Sequence, residues 1–345
     1  MSYRKLGYGV ISPIIQPRVV EKLVRKVNAI YAGGDQFVNG VYPDEWHYRP
    51  SYSLPHTTRE IVNGWKSCPL IASLVLSKEL AEGIQEITGW NSVRVGQDDV
   101  IWKPSISVVK ADSDYHAPPT DAPPLTALNT TVGFHQDSAY ISTNFVPYKS
   151  SSVTLWMALD DSDSNNGGLS YAEGSHKWNV ELDVDGARVK KGGLTFMGED
   201  GESYASPLIN AGRNNGVEDV ERTVVTPEVK RGGGLLHDQD TWHGSGVNHS
   251  EERCRRAIAV HYVNGDCRFR RGEGGGPWGE CDYIYGRYRI RGSDELEGSF
   301  FPVVAGEGRE EWIDDWVEVG GVGEGFKEQV RENEGVWGGG RGRGK

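Results

Sequence analysis

Near Ser92 the hydrophobic pattern of this chain changes period, and that change limits its fold more than any other feature. Before it, apolar residues recur at three- and four-residue steps, the spacing of one helix face. The clearest case is Pro17–Tyr31, where Val19, Val20, Leu23, Val24, Val27, Ile30 and Tyr31 fall on one side with Lys and Arg between them. Pro17 suits the first turn, and Gly33-Gly34 suits the stop. Thr57-Thr58-Arg59-Glu60 has the form of a capping box and predicts a second helix through Trp65. Residues 69–88 read as helix, broken at Ser77 and closed by Gly89. The first ninety residues or so are therefore mostly helical.

After Ser92 the period is two. Val93/Val95, Val100/Trp102 and Val153/Leu155/Met157/Leu159 alternate as strands do, and residues 223–230 and 255–263 follow suit. Clusters of Gly, Asp, Asn and Pro separate these runs. Many short strands with turn-rich links predict a sandwich or barrel, so the fold class is mainly β with flanking α-helices. Residues 111–128, rich in Pro and Asp, and 191–220, rich in Gly and Asn, read as surface loops and candidate lids. Residues 271–279 form a third, glycine-rich loop. We expect one domain over residues 1–304, with its helical part at about 1–90, and a glycine-rich acidic tail over 305–345. The end of that tail is expected to be disordered, with Trp312 and Trp316 anchoring a short helix.

Charge narrows the partners. A net charge of −12 over 345 residues argues against nucleic acid and anionic membrane, both of which reward a basic surface. No window approaches an apolar run that could span a bilayer, and the first residues lack a secretory signal. Cys68, Cys254, Cys267 and Cys281 form no CxxC pair and read as reduced thiols, which points to the cytoplasm.

The chemistry starts at Phe134-His135-Gln136-Asp137-Ser138. His135 and Asp137 are two residues apart, which puts both side chains on one side of an extended segment. A second histidine would complete a triad that holds Fe(II) and leaves positions open for oxygen and a co-substrate. Among His47, His56, His116, His176, His237, His243, His249 and His261, the best candidate is His243, in Trp242-His243-Gly244-Ser245-Gly246. It follows a strand-like run and precedes Arg255, a bidentate clamp suited to the distal carboxylate of an oxoacid. His237 is read as a decoy, because Gln239 stands two residues after it; His176 reads as a turn histidine and His261 as an ordinary strand histidine. Pleat separates the arginines. Arg255, Ala257, Ala259 and His261 share one face, where the small alanines leave room for a ligand, so Arg253 and Arg256 are left as solvated charges.

At this point the chain resembles the phytanoyl-CoA dioxygenase family of non-haem iron, 2-oxoglutarate-dependent oxygenases. The likeness runs from about Gly7 to Val304. It is carried by Val100-Ile101-Trp102-Lys103-Pro104, Phe134-His135-Gln136-Asp137-Ser138, Thr154-Leu155-Trp156-Met157-Ala158-Leu159-Asp160-Asp161, Asn166-Gly167-Gly168-Leu169, Glu173-Gly174-Ser175-His176, His243-Gly244-Ser245-Gly246, Arg255-Arg256-Ala257 and Tyr285-Gly286-Arg287-Tyr288. The resemblance implies a double-stranded β-helix, a jelly-roll barrel with helices packed outside. It implies iron ligands at His135, Asp137 and His243. Arg255, helped by Ser245, would hold 2-oxoglutarate, with Lys103 and Trp156 lining the same pocket.

Two departures stand out. The spacing between the second histidine and the arginine is one residue longer than usual, and Glu173 replaces a common proline. The implied reaction consumes O2 and 2-oxoglutarate, releases succinate and CO2, and hydroxylates a small organic substrate, with ascorbate as an auxiliary reductant. Related halogenases lack the carboxylate that Asp137 supplies, so its presence favours hydroxylation. The alternatives are a non-catalytic metal-binding barrel and a protein or peptide hydroxylase.

Overall fold

A computed structural model of the protein describes residues 3–33, 37–38, 41–48, 53–114, 130–141, 144–179, 206–270 and 283–332. Its helices are α1 Tyr3–Leu6, α2 Pro17–Tyr31, α3 Pro69–Val75, α4 Lys78–Thr88, α5 Ile106–Asp114, α6 Ser206–Asn214, α7 Ile313–Trp316 and α8 Phe326–Glu332. Its strands begin with β1 Tyr8–Ile11, β2 Glu45–Trp46, β3 Arg59–Val62, β4 Ser92–Lys103, β5 Val132–His135, β6 Phe145–Val146 and β7 Ser152–Ala158. They continue with β8 Leu169–Ala172, β9 Val224–Val225, β10 Gly234–Asp238, β11 His243–Ser245, β12 Arg255–Asn264, β13 Arg268–Phe269 and β14 Val303–Gly306.

An eight-stranded antiparallel sheet in the order β1-β10-β7-β12-β4-β3-β2, with β14 added to β4, faces a four-stranded sheet in the order β5-β11-β8-β9. This is the double-stranded β-helix. Alternation decides which side chains enter it. On β12, Ile258, Val260 and Tyr262 point outward into the same core as Val153, Leu155 and Met157 of β7 and Leu23, Val27, Leu74 and Ile84 of the helices. Each such buried aliphatic side chain contributes roughly 1.5–3 kcal/mol relative to exposure. The residues between them, Ala257, Ala259, Trp156, Ala158 and Leu235, face inward against Leu169 and Tyr171 of the smaller sheet.

In β4 the outward residues are Val93 and Val95, then Val100 and Trp102, a change of parity within one strand. The cause is a β-bulge: His261 pairs with Gln97 and the next residue, Tyr262, pairs with Val95, so Gly96 is the extra residue. Beyond the bulge Asp99, Ile101 and Lys103 lie on the inward phase. Asp98, turned the other way, is buried where it accepts from the backbone N–H groups of Gly64 and Trp65, at 3.2 and 3.1 Å.

Several local expectations change. The capping-box pattern at Thr57–Glu60 does not open a helix. Arg59–Val62 is instead strand β3, paired with Trp102–Asp99 of β4, and only Gly64–Lys66 makes a single 3-10 turn. Burial of Ile61 and Val62 against the sheet outweighs a local cap signal. Residues 206–214, expected in a loop, form α6, and α5 runs into the other expected loop as far as Asp114. Residues 115–128 and 191–205 of those two loops, and the loop at 271–279, lie outside the described residues. Residues 223–230 hold only the short β9 and a single bridge from Val229 to Ser162.

Candidate active site

Strands β5 and β11 pair so that His135 and His243 are direct cross-strand neighbours, with ring centroids 4.3 Å apart. Gln136 is extended, with φ −123° and ψ 134°, so Asp137 emerges on the same side as His135. Asp137 Oδ1 lies 3.7 Å from His135 Nε2 and 3.5 Å from His243 Nε2. The three ligand atoms all fall within 4.8 Å of one another, a group that could hold a metal ion. Both histidines are set up alike: Nδ1 of His135 donates to the Gly133 carbonyl at 2.8 Å, and Nδ1 of His243 to that of Thr241 at 2.9 Å. Each bond fixes the tautomer and turns the Nε2 lone pair inward, as metal-binding imidazoles require.

The electrostatics suit a cation. Burial lowers His135 and His243 to about 4, helped by the neighbouring histidines, so both imidazoles are neutral at ordinary pH. Burial alone would raise Asp137, but His243, His261 and His237 around it hold its carboxyl well below the usual range. His261 is the exception. Burial pulls it down, yet Asp137 and Asp99 together push it up to about 10.

At the other end of the inward face, Arg255 of β12 and Lys103 of β4 are cross-strand partners, both essentially inaccessible. Lys103 Nζ donates to the carbonyls of Ser245 and Gly246, at 3.1 and 2.6 Å. Arg255 Nε donates to the Gly167 carbonyl at 3.1 Å, and its Nη2 lies 3.5 Å from Ser245 Oγ. Its guanidinium carbon sits 5.4 Å from the centroid of the Trp156 ring. Gly167 has φ +74°, and a Cβ there would come within 2.8 Å of the Gly246 carbonyl oxygen and 3.0 Å of the Lys103 chain, so only glycine fits. Among the described residues no carboxylate pairs with either cation, and Arg255 Nη1 and Trp156 Nε1 are buried with no hydrogen-bond partner. Burial pushes Lys103 well below its usual range, with Arg255 adding to it, and brings Arg255 down to about 9. Two buried cations without an anion are a costly arrangement unless a ligand brings the negative charge.

A model of the phytanoyl-CoA dioxygenase (PhyH) family matches residues 3–257. The chain belongs to the phytanoyl-CoA dioxygenase family. It is an Fe(II)- and 2-oxoglutarate-dependent dioxygenase, and both the donor set and the anion pocket described above fit that chemistry. A relative from Stutzerimonas stutzeri, "Probable alpha-ketoglutarate-dependent hypophosphite dioxygenase", is 26% identical over 268 residues, covering 76% of this chain and 77% of the relative. Among solved structures, the non-haem alpha-ketoglutarate-dependent carbocyclase SnoK from nogalamycin biosynthesis aligns with a TM-score of 0.54 at 19% identity, over 87% of this chain and 93% of its own. Iron-bound EctD from S. alaskensis gives 0.55 at 17% identity, over 86% and 85%. At such identities the likeness carries the jelly-roll fold.

Within this family member, the expected residues fall into two groups on one inward surface: His135, Asp137 and His243 at one end, and Arg255, Ser245, Lys103 and Trp156 at the other. Arg256 departs from its reading as a solvated charge, because it forms a half-buried fork with Asp160, at 2.7 and 2.8 Å. Glu173 accepts from the hydroxyl of Tyr8 at 3.0 Å. His237 and His261 are not members of the metal-holding group, as the sequence predicts, but both lie against its carboxylate. His237 Nε2 lies 3.0 Å from Asp137 Oδ2, and His261 Nδ1 lies 3.5 Å from the same oxygen. The available signal was phase: His261 shares the inward face of β12 with Arg255, and His237 that of β10 with Leu235.

Proposed function

We propose that this dioxygenase hydroxylates a small organic molecule, with iron held by His135, Asp137 and His243. The distal carboxylate of 2-oxoglutarate would be held by Arg255 with Ser245, and Lys103 and Trp156 would line that pocket. The observation that carries this reading is the pairing, on one interior surface, of a neutral histidine pair plus carboxylate with two buried, unneutralised cations. When bound, iron and 2-oxoglutarate supply the oxidising chemistry: O2 is consumed, 2-oxoglutarate becomes succinate and CO2, and one oxygen atom enters a substrate C–H bond.

The chain's own residues do the positioning. Arg255 offers a planar fork with Nη1 uncommitted, matched to a carboxylate, and Lys103 adds a second positive charge. Ala257 and Ala259 keep the floor between clamp and triad shallow enough for a ligand to lie there. Backbone carbonyls hold both imidazoles with Nε2 inward, so no proton has to leave before a metal binds. The net charge of −12 supports a small-molecule substrate over nucleic acid or anionic membrane, and a cytoplasmic location agrees with the cysteine usage. Among the described residues no helix is long and apolar enough to cross a membrane.

The test is spectroscopic and then catalytic. Anaerobic addition of Fe(II) and 2-oxoglutarate should give a weak visible charge-transfer band, and succinate release across a panel of small metabolites should find the substrate. Asp137→Ala should abolish both band and substrate-coupled turnover. An Asp137→Ala protein with normal band and turnover would overturn the assignment.

A further inference from the structure

The two unexpected histidines belong to one structural row. His237 on β10 pairs directly with Thr154 on β7, and Thr154 pairs directly with His261 on β12. Three adjacent strands thus present one inward polar residue each, side by side, and all three converge on one atom. Asp137 Oδ2 accepts from His237 Nε2 at 3.0 Å and from the Thr154 hydroxyl, with His261 Nδ1 3.5 Å away. Each member of the row is itself held. The hydroxyl of Tyr171 lies 3.0 Å from His237 Nδ1, Thr154 Oγ1 lies 2.7 Å from His261 Nδ1, and His261 Nε2 donates to Asp99 Oδ2 at 2.8 Å. The carboxylate's two oxygens therefore have different surroundings. Oδ1 accepts from the hydroxyl of Tyr140 at 2.7 Å and is the oxygen that approaches both triad histidines.

A carboxylate with two unencumbered oxygens can swing to bind a metal through both and occupy a position that a co-substrate needs. Here the second oxygen accepts from two donors on the main sheet, His237 and Thr154, and His261 in turn bonds to Thr154. We propose that His237, Thr154 and His261 are positioning residues that hold Asp137 as a one-oxygen ligand, offering Oδ1 to the metal and keeping Oδ2 away from it. This inference rests on the reading of Asp137 as a ligand. A merely structural row would stabilise the sheet and leave metal binding unchanged, and that difference is measurable.

The probe is Co(II), titrated anaerobically into metal-free full-length protein and read by its visible d–d absorption, with thermal melting in parallel. Thr154→Val keeps the shape of the side chain and removes the hydroxyl; His237→Phe removes the imidazole donor; His237→Gln restores an N–H. Outer-shell changes of this kind cost about 10–100-fold in metal affinity. That loss is expected for Thr154→Val and His237→Phe, together with an altered Co(II) spectrum, and His237→Gln should recover most of it. If His237→Phe does not fold, Thr154→Val decides alone. Wild-type Co(II) affinity and spectrum in folded Thr154→Val, whatever its melting temperature, overturn the positioning role. Asp137→Ala separates the two failures. If it loses Co(II) while Thr154→Val binds normally, only the positioning role falls; if it binds as wild type does, the ligand assignment itself falls.

Discussion

Arg255 and Lys103 bring two basic side chains together in the interior of the protein. Both are buried, they face each other across β12 and β4, and among the described residues neither has an anionic partner. In the absence of ligand such a pair should weaken the fold, since replacing buried charge by a hydrophobic side chain of similar size is often neutral or stabilising. Arg255→Met is therefore expected to keep or gain thermal stability without ligand, while losing the protection that 2-oxoglutarate gives. In wild-type protein loaded with Co(II), ligand at a hundred times its Kd should add about 2.7 kcal/mol. Loss of the clamp should cost on the order of 2–5 kcal/mol of 2-oxoglutarate binding. Melting curves with and without 2-oxoglutarate check this, and undiminished protection of Arg255→Met would refute the clamp. That Arg255 turns inward while Arg256 turns the other way is legible in the sequence because pleat is local: alternate residues on one strand take alternate faces. The convergence of His237 and His261 on Asp137 is not. Each stands on a different strand, and only the pairing of β10, β7 and β12 brings them to one atom.

At the scale of elements, the site depends on how closely β5 and β11 lie. Gly244 sits between His243 and Ser245, and a Cβ there would meet the Val132 carbonyl oxygen at 2.9 Å and the Phe134 backbone at 3.1 Å. All of these are backbone atoms, which cannot move aside as a side-chain tip can. Gly244→Ala should push the two strands apart at the point where His135 faces His243, weakening metal binding even where the barrel still forms. We expect at least a tenfold drop in Co(II) affinity, in line with the sensitivity of metal sites to their supporting shell; an unchanged titration would show that the strands tolerate the extra methyl. Elements were read unevenly. Helix α2 was legible from end to end because periodicity, Pro17 and the glycine stop agree. The break expected at Ser77 is the N-cap of α4, where the serine side chain accepts from the Leu80 N–H. Strand β3 is not legible locally because its first two residues, Arg59 and Glu60, close a helix-start pattern, while its strand state is imposed by β4, far away in sequence. The bulge at Gly96 left its trace as a slip from odd to even valines, but the slip alone does not say whether one strand or two produced it.

For the whole molecule, the helical layer and the barrel share one core, and Ile313, Val322, Phe326 and Val330, beyond β14, pack into it. Trp312 stacks near Trp65, with centroids 6.1 Å apart, and Trp316 Nε1 donates to the Trp65 carbonyl at 3.0 Å. Further on, α8 packs on α4 through Phe326, which lies over Gly83; a Cβ at Gly83 would come within 2.2 Å of the ring. A glycine inside a helix costs about 1 kcal/mol relative to alanine, so the notch is a sacrifice of local stability that the docked ring must offset. The expected boundary at 304/305 falls inside β14, whose Ala305 and Gly306 pair with Val93 and Ser92 of β4, so the main sheet runs on to Gly306 and the described segment after it is a strap against the helical layer. Among the described residues, none after Gly306 is a member of the group that could hold a metal ion, so loss of the strap should act on stability and leave metal binding alone. Phe326→Ala should destabilise the protein by about 3–5 kcal/mol, and deletion of residues 307–345, which spares β14, by more, because Ile313, Phe326 and Val330 all leave the shared core. Protein of either kind that is folded at low temperature should still bind Co(II) with wild-type affinity. Denaturant unfolding measures the first effect and Co(II) titration the second. An unchanged midpoint would detach the strap from the core, whereas a parallel loss of Co(II) affinity would tie it to the active site instead.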